Sequence, residues 1–192
     1  IRDYYASRGL GDVYKRHSVT GYGYNVGGIS GVISSSGDCF IEDCKAYGDV
    51  MSSQYSVGGI CGSATSVGES TIDGCVAYGN LRGLYSVGGI CGYFKCNNAA
   101  CQMNIVNCLY AGEKIEAFGN NGKNGYTMAT GMVGWLQVSA GSANIVNSVS
   151  RVRTIETVSS YEGLKSGNNT MAGIVGFQNG SPASCNIYGV YT

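Results

Sequence analysis

Three residue types in this chain could do chemistry: nine cysteines, a single histidine at His17, and twelve acidic side chains. A thiol beside an imidazole is an activated nucleophile, so His17 and Cys44 are the pair to weigh for thiol chemistry. No third, orienting residue accompanies them, and no local cysteine-protease signature surrounds either one. Asp38, Glu42, Asp43, Asp49, Glu69 and Asp73 cluster within 36 residues of one another. Paired carboxylates at set separation would suit a polysaccharide-degrading enzyme, with Asp43 and Asp73 as the pair. Zinc needs four ligands converging tetrahedrally, and the calcium-binding nonapeptide and EF-hand patterns are absent. The expectation is therefore no metal and no cofactor. The fifteen tyrosines are the stronger binding candidates, because exposed aromatic rows stack sugar rings or anchor interfaces.

Whether any of these groups meet depends on the elements that carry them, and those elements repeat. Tyr24-Asn25-Val26-Gly27-Gly28-Ile29-Ser30-Gly31 returns at Tyr55–Gly62 and again at Tyr85–Gly92. Weaker copies follow at 130–134 and 172–176. A second motif trails each first one: Ile41-Glu42-Asp43-Cys44 matches Ile72-Asp73-Gly74-Cys75 and Ile105-Val106-Asn107-Cys108, with degenerate copies at 145–148 and 185–189. Each unit reads as two or three short strands between Gly, Ser and Asn turns, with no helical period. A unit of about 30 residues cannot bury its own apolar face and must stack on its neighbours. The expected fold is all-β, a β-solenoid resembling a parallel β-helix, of about five such repeats. Residues 1–23 read as a worn half-repeat or cap. The repeats lie near 24–54, 55–84, 85–125, 126–169 and 170–192. Insertions at 95–103, 113–124 and 151–169 should emerge as loops.

Stacked units convert sequence offsets into columns. Tyr24, Tyr55, Tyr85 and Tyr126 form one, the expected ligand-binding row, and Tyr47 with Tyr78 a second. Cys44, Cys75, Cys108 and Cys185 form a thiol column in which Ser148 and His17 fill the same slot. Cys61 and Cys91 share another with Ser30, Val133 and Val175. Exchange with Ser and Val is what a small core-facing site tolerates. Cys96 and Cys101 lie outside the columns and are the pair expected to form a disulfide, leaving Cys39 as the odd thiol. Asp43, Asn107 and Asn147, with Gly74 and Ser184, mark a turn column.

Composition narrows the partners. Twelve basic residues balance twelve acidic ones, so the basic footprint of a nucleic-acid binder is missing. No apolar run approaches the roughly 20 residues that span a bilayer. The chain opens Ile1-Arg2-Asp3 without a signal-peptide pattern, as a processed or excised piece would.

The Val-Gly-Gly-Ile-x-Gly core, with its trailing Ile-x-x-Cys/Ser segment, resembles the GLUG motif. The matching residues are Gly28-Ile29-Ser30-Gly31, Gly59-Ile60-Cys61-Gly62, Gly89-Ile90-Cys91-Gly92, Gly131-Met132-Val133-Gly134 and Gly173-Ile174-Val175-Gly176, across roughly 24–192. Ile or Met stands where the family has Leu. The resemblance implies a secreted or cell-surface setting in adhesin-like bacterial proteins and carries no catalytic residues. The expectation is a non-catalytic adhesion or spacer module. A glycan or a host or matrix protein is its expected partner. Worn end units point to flanking domains in a larger chain.

Overall fold

The computed structural model describes residues 14–15, 17–119, 127–158, 169–179 and 184–192. Every described element is a strand, twenty-five in all, and each coil of the chain contributes one strand to each of five parallel sheets. Sheet I stacks Tyr14–Lys15, Lys45–Ala46, Val76–Ala77, Leu109–Tyr110 and Val149–Ser150. Sheet II stacks Val19–Gly21, Val50–Ser52, Leu81–Gly83, Lys114–Phe118 and Thr154–Val158. Sheet III stacks Val26–Gly27, Val57–Gly58, Ser86–Gly88, Thr127–Thr130 and Asn169–Ala172. Sheet IV stacks Ser30–Ser35, Cys61–Ser66, Cys91–Cys96, Val133–Val138 and Val175–Asn179. Sheet V stacks Cys39–Glu42, Glu69–Asp73, Gln102–Val106, Ser142–Val146 and Ser184–Tyr188. The molecule is a parallel β-solenoid.

Five strands per coil exceed the two or three expected. The sheet I strands are all two-residue segments such as Lys45–Ala46, and most strands of sheets II and III have only two to four residues, too short to show a clear period of two.

Two features of the repeat explain the stacking. The first is the glycine pair at the sheet III–IV corner. A Cβ on Gly28 would lie 2.1 Å from the carbonyl oxygen of Gly59, and one on Gly59 would lie 2.2 Å from that of Gly89. Gly89 stands the same way against Gly131, and Gly131 against Gly173. The coils therefore approach here at backbone distance, which only glycine permits.

The second feature is a left-handed residue at the sheet V–I corner of every coil. Asp43, Gly74, Asn107, Asn147 and Gly189 have φ of 51°, 61°, 52°, 48° and 63°. Asn, Asp and Gly are the residues that tolerate this region. Replacing Asn107 by Val, which is β-branched, is expected to cost about 1–3 kcal/mol. Asn107→Gly should stay within a few tenths of wild type, and denaturant midpoints of the two variants compare them directly.

Inward side chains form matching columns. Ile41, Ile72, Ile105, Ile145 and Ile187 pair in register along sheet V. Ile72 and Ile105 are wholly buried, whereas Ile187 in the last coil is 46% exposed. Val50, Leu81 and Ile115 fill the core from sheet II, and Ile60, Ile90 and Met132 from the glycine corner. Tyr110 is also buried; its hydroxyl donates to the carbonyl oxygens of Gly79 at 3.0 Å and Lys114 at 3.2 Å. No helix among the described residues is long and apolar enough to cross a membrane.

The register corrects three column assignments. Cys185 pairs with Ala143, and that column runs through Met103 and Ser70 to Cys39, so Cys185 does not join Cys44. Ser184 pairs with Ser142 rather than entering the left-handed turn, where Gly189 stands instead. The backbone carbonyl of His17 lies against Gly48, four residues along from Cys44, which removes the Cys–His pairing. The cause is common to all three. Ile, which fills a tight inward slot, marks the phase of a coil, whereas Cys and Ser fit several positions.

Candidate functional site

The tyrosine row is built at the sheet II–III corner. Asn25 and Ser56, the residues after Tyr24 and Tyr55, both adopt φ of 59°, and the N–H of Asn25 donates to the Tyr55 carbonyl at 3.0 Å. That turn throws consecutive tyrosines outward, one above another. The Tyr24 and Tyr55 rings stack at 5.1 Å and 6°, and Tyr55 and Tyr85 at 4.2 Å and 15°. Tyr55 is thus sandwiched, and its hydroxyl is pushed above the usual phenol range, first by a hydrogen bond with the Tyr85 hydroxyl. Tyr24, at the end of the stack, is 65% exposed. Tyr126 lies outside the described residues. Stacking consumes both ring faces of Tyr55, so among the described residues the row offers a ligand its edges and hydroxyls and the outer faces of its end rings, of which Tyr24 is the exposed one.

Tyr47 and Tyr78 stack in the same manner at 4.7 Å and 6° on the sheet I–II corner. Their row stops at the third coil, where Ala111 takes the place.

Two outward rows escaped the sequence reading. On sheet IV the register runs Val32, Ser63, Tyr93, Trp135, with Ser63 covered by its neighbours. The Tyr93 ring meets Trp135 at 5.4 Å and 59°, and its hydroxyl donates to Gln137 Oε1 at 2.5 Å. On sheet V, Asn186 donates to Asn144 at 2.9 Å, and Asn144 to Asn104 at 2.8 Å. Asn104 then donates to Thr71 Oγ1 at 3.0 Å and Glu69 Oε1 at 3.1 Å. This amide ladder had a signal, since Asn-Ile-Val-Asn occurs at both 104–107 and 144–147.

The acidic residues divide by role. Asp38 Oδ1 accepts the Glu69 N–H at 2.9 Å, and Asp49 Oδ1 accepts the Asn80 N–H at 2.8 Å. Each side chain caps the coil that follows it. Glu42 and Asp73 are register neighbours on sheet V, and Asp73 Oδ1 accepts from Asn107 Nδ2 at 2.9 Å. Asp43 occupies the left-handed corner beside Gly74.

On sheet II, Glu116 takes ion pairs from Arg82 at 2.5 Å and Lys114 at 2.8 Å, and Lys114 also reaches Glu156. Burial works to raise the Glu116 pKa, but the hydrogen bonds from Lys114 and Arg82 outweigh it and hold the group below the usual carboxylate range. Such rows contribute little to stability at an exposed surface.

The thiols are mostly internal. Cys61 and Cys91 are register neighbours with no exposure, and burial pushes Cys91 well up. Cys96 and Cys101 are joined by a disulfide across the short turn between sheets IV and V. Among the described residues no three His, Cys, Asp or Glu side chains converge to hold a metal ion.

Compared with protein-family models, curated proteins and solved structures, the chain matches none of them.

Proposed function

We propose that this chain is a non-catalytic repeat module of a secreted or cell-surface bacterial protein, acting in adhesion and as a rigid spacer. The observation that carries the reading is the Tyr24–Tyr55–Tyr85 stack on an outer corner, ending in an exposed ring. Aromatic edges and hydroxyls held on a stiff scaffold suit recognition of a glycan or of a host or matrix protein, because little side-chain freedom is lost on binding. The resemblance to GLUG repeats supports the same setting, and flanking domains of a longer chain fit a spacer role.

A glycan and matrix-protein array tests this. The module, alone or in its full-length context, is expected to retain at least one ligand. Tyr24→Ala is expected to weaken that binding about tenfold, within the range of an aromatic contact residue, without moving the melting midpoint by more than a degree or two. Absence of any bound ligand would leave the spacer role alone.

A second reading, a polysaccharide-degrading enzyme, draws on the neighbouring Glu42 and Asp73 carboxylates. It requires depolymerisation of some polysaccharide, abolished by Asp73→Asn or Asp43→Asn. We expect no turnover on a broad substrate panel.

A further inference from the structure

Seven cysteines stand outside the Cys96–Cys101 disulfide, and their accessibility is uneven. Cys39, Cys44 and Cys185 are half-exposed, while Cys61, Cys75, Cys91 and Cys108 are buried. Cys44, Cys75 and Cys108 stand in one column, one per coil, at the position after the left-handed turn. Each sulfur donates to the carbonyl two residues back in its own coil: Cys44 to Glu42, Cys75 to Asp73 and Cys108 to Val106, all at 3.2 Å. The upper two also lean toward the preceding coil. Cys75 Sγ reaches the Ile41 carbonyl at 3.5 Å, and Cys108 Sγ reaches that of Ile72 at 3.4 Å.

The Cys75 sulfur is therefore already turned toward the coil that carries Cys44. Neighbouring parallel strands lie about 4.8 Å apart, inside the Cα separation of roughly 4.4–6.8 Å that a disulfide spans. Closing a bond between the two sulfurs calls for side-chain rotation rather than movement of a coil.

We propose that Cys44 and Cys75 are an entry-and-resolving thiol pair that reacts with small disulfides to form a covalent link between the first two full coils. The Cys44 thiolate attacks one sulfur of a disulfide RSSR, forming a mixed disulfide and releasing RS⁻, which takes up a proton. The Cys75 thiolate then attacks the Cys44 sulfur and expels the second RS⁻. Two protein thiols are oxidised, and one RSSR is reduced to two RSH.

The surroundings differentiate the two steps. Burial raises the Cys44 thiol pKa, which slows entry. The hydrogen bond from Cys108 lowers that of Cys75, which favours the resolving thiolate.

The other thiols lack one half of the arrangement. Cys61 and Cys91 are stacked but both wholly buried, so no reagent enters there. Cys39 and Cys185 are open, but Ser70 stands over Cys39 and Ala143 beside Cys185, so neither has a resolving thiol. These two are internal controls: they should accept RSSR and stop at the mixed disulfide.

The experiment treats the folded chain with oxidised glutathione, blocks the remaining thiols by alkylation, and maps the peptides by mass spectrometry. The expected products are a Cys44–Cys75 linked peptide and glutathione adducts at Cys39 and Cys185, with none retained at Cys44. Cys75→Ser should trap the adduct at Cys44, Cys44→Ser should remove the link, and Cys108→Ala, which removes the donor, should leave the link in place but form it more slowly. The link is expected to raise the melting midpoint by about 5 °C or more, since it closes a loop of some thirty residues in the unfolded chain. Persistent glutathione on Cys44 in the wild-type chain overturns the proposal. So does an unmodified Cys44, a Cys61–Cys91 link in its place, or a Cys44–Cys75 link that forms only in denaturant. The wild-type map decides the matter even where a serine variant fails to fold.

Discussion

Gly59→Ala is expected to cost about 3 kcal/mol or more, at or beyond the upper end of what overpacking usually costs. The added methyl would lie 2.2 Å from the Gly89 carbonyl oxygen and 2.6 Å from the Ala77 Cβ. The first of these contacts is backbone, so no rotamer change relieves it. To make room the second and third coils must separate, which lengthens the hydrogen bond from the Gly59 N–H to the Gly88 carbonyl, already 3.4 Å. Solenoid stability is close to a sum of units and nearest-neighbour interfaces, so the damage falls on the interface that joins the two ends. Domains are stable by about 5–15 kcal/mol, and one such interface is a large fraction of that. Gly23→Ala is the control, because nothing lies within 4 Å of the added carbon. Denaturant titration followed by circular dichroism should show a much lower midpoint for the first variant and little change for the second. Equal midpoints would mean that the coils do not meet at Gly59.

Ile105→Ala is the second large effect, at about 2–5 kcal/mol. Ile105 is wholly buried, with Ile72 in register on one side and Ile145 on the other. Truncation opens a cavity that rigid coils above and below cannot collapse to fill. Ile187→Ala, in the same column, should cost only about 1 kcal/mol, because a side chain already 46% exposed gives up little apolar burial. The ratio between the two is the informative quantity. Similar costs would mean that the column is not continuous, whatever the absolute values.

Both predictions rest on positions that the sequence alone marks well. Gly28, Gly59 and Gly89 recur at near-constant offsets because a backbone-to-backbone contact excludes every other residue. Asp43, Asn107 and Asn147 were recognisable as a turn because a left-handed corner restricts the residue locally, whatever surrounds it. The tyrosine and Cys61–Cys91 columns followed from the same glycine phase. The last unit was less legible. Along the isoleucine column the coils are 31, 33, 40 and 42 residues long, counted from Ile41 through Ile187. Once the insertions lengthen, phase has to be anchored on a residue with one acceptable position. Ile187 is such a residue and Cys185 is not: by residue type Cys185 suits the Cys44 slot, while the register places it in the column of Cys39.

The candidate site was half legible for a related reason. A tyrosine at each corner is visible in the chain, but whether its ring faces solvent or its neighbour depends on the distance between coils. At 4.2–5.1 Å the rings face each other, so the described row presents an edge and the outer faces of its end rings in place of an array of separate sugar-stacking platforms. The Tyr93–Trp135 contact joins residues whose strands share only their place in a sheet, whereas the Asn104–Asn144 step of the amide ladder sits in a repeated Asn-Ile-Val-Asn segment.

By itself the sequence determined the repeat, the all-β solenoid, the glycine contacts and the left-handed corners, since each is a demand that the backbone makes at a single position. Only the tertiary structure decided which thiols are neighbours, which carboxylates cap the next coil and which rings stack. Those pairings join residues thirty or more positions apart. They depend on the lateral register of whole coils, which the packing of the buried columns sets.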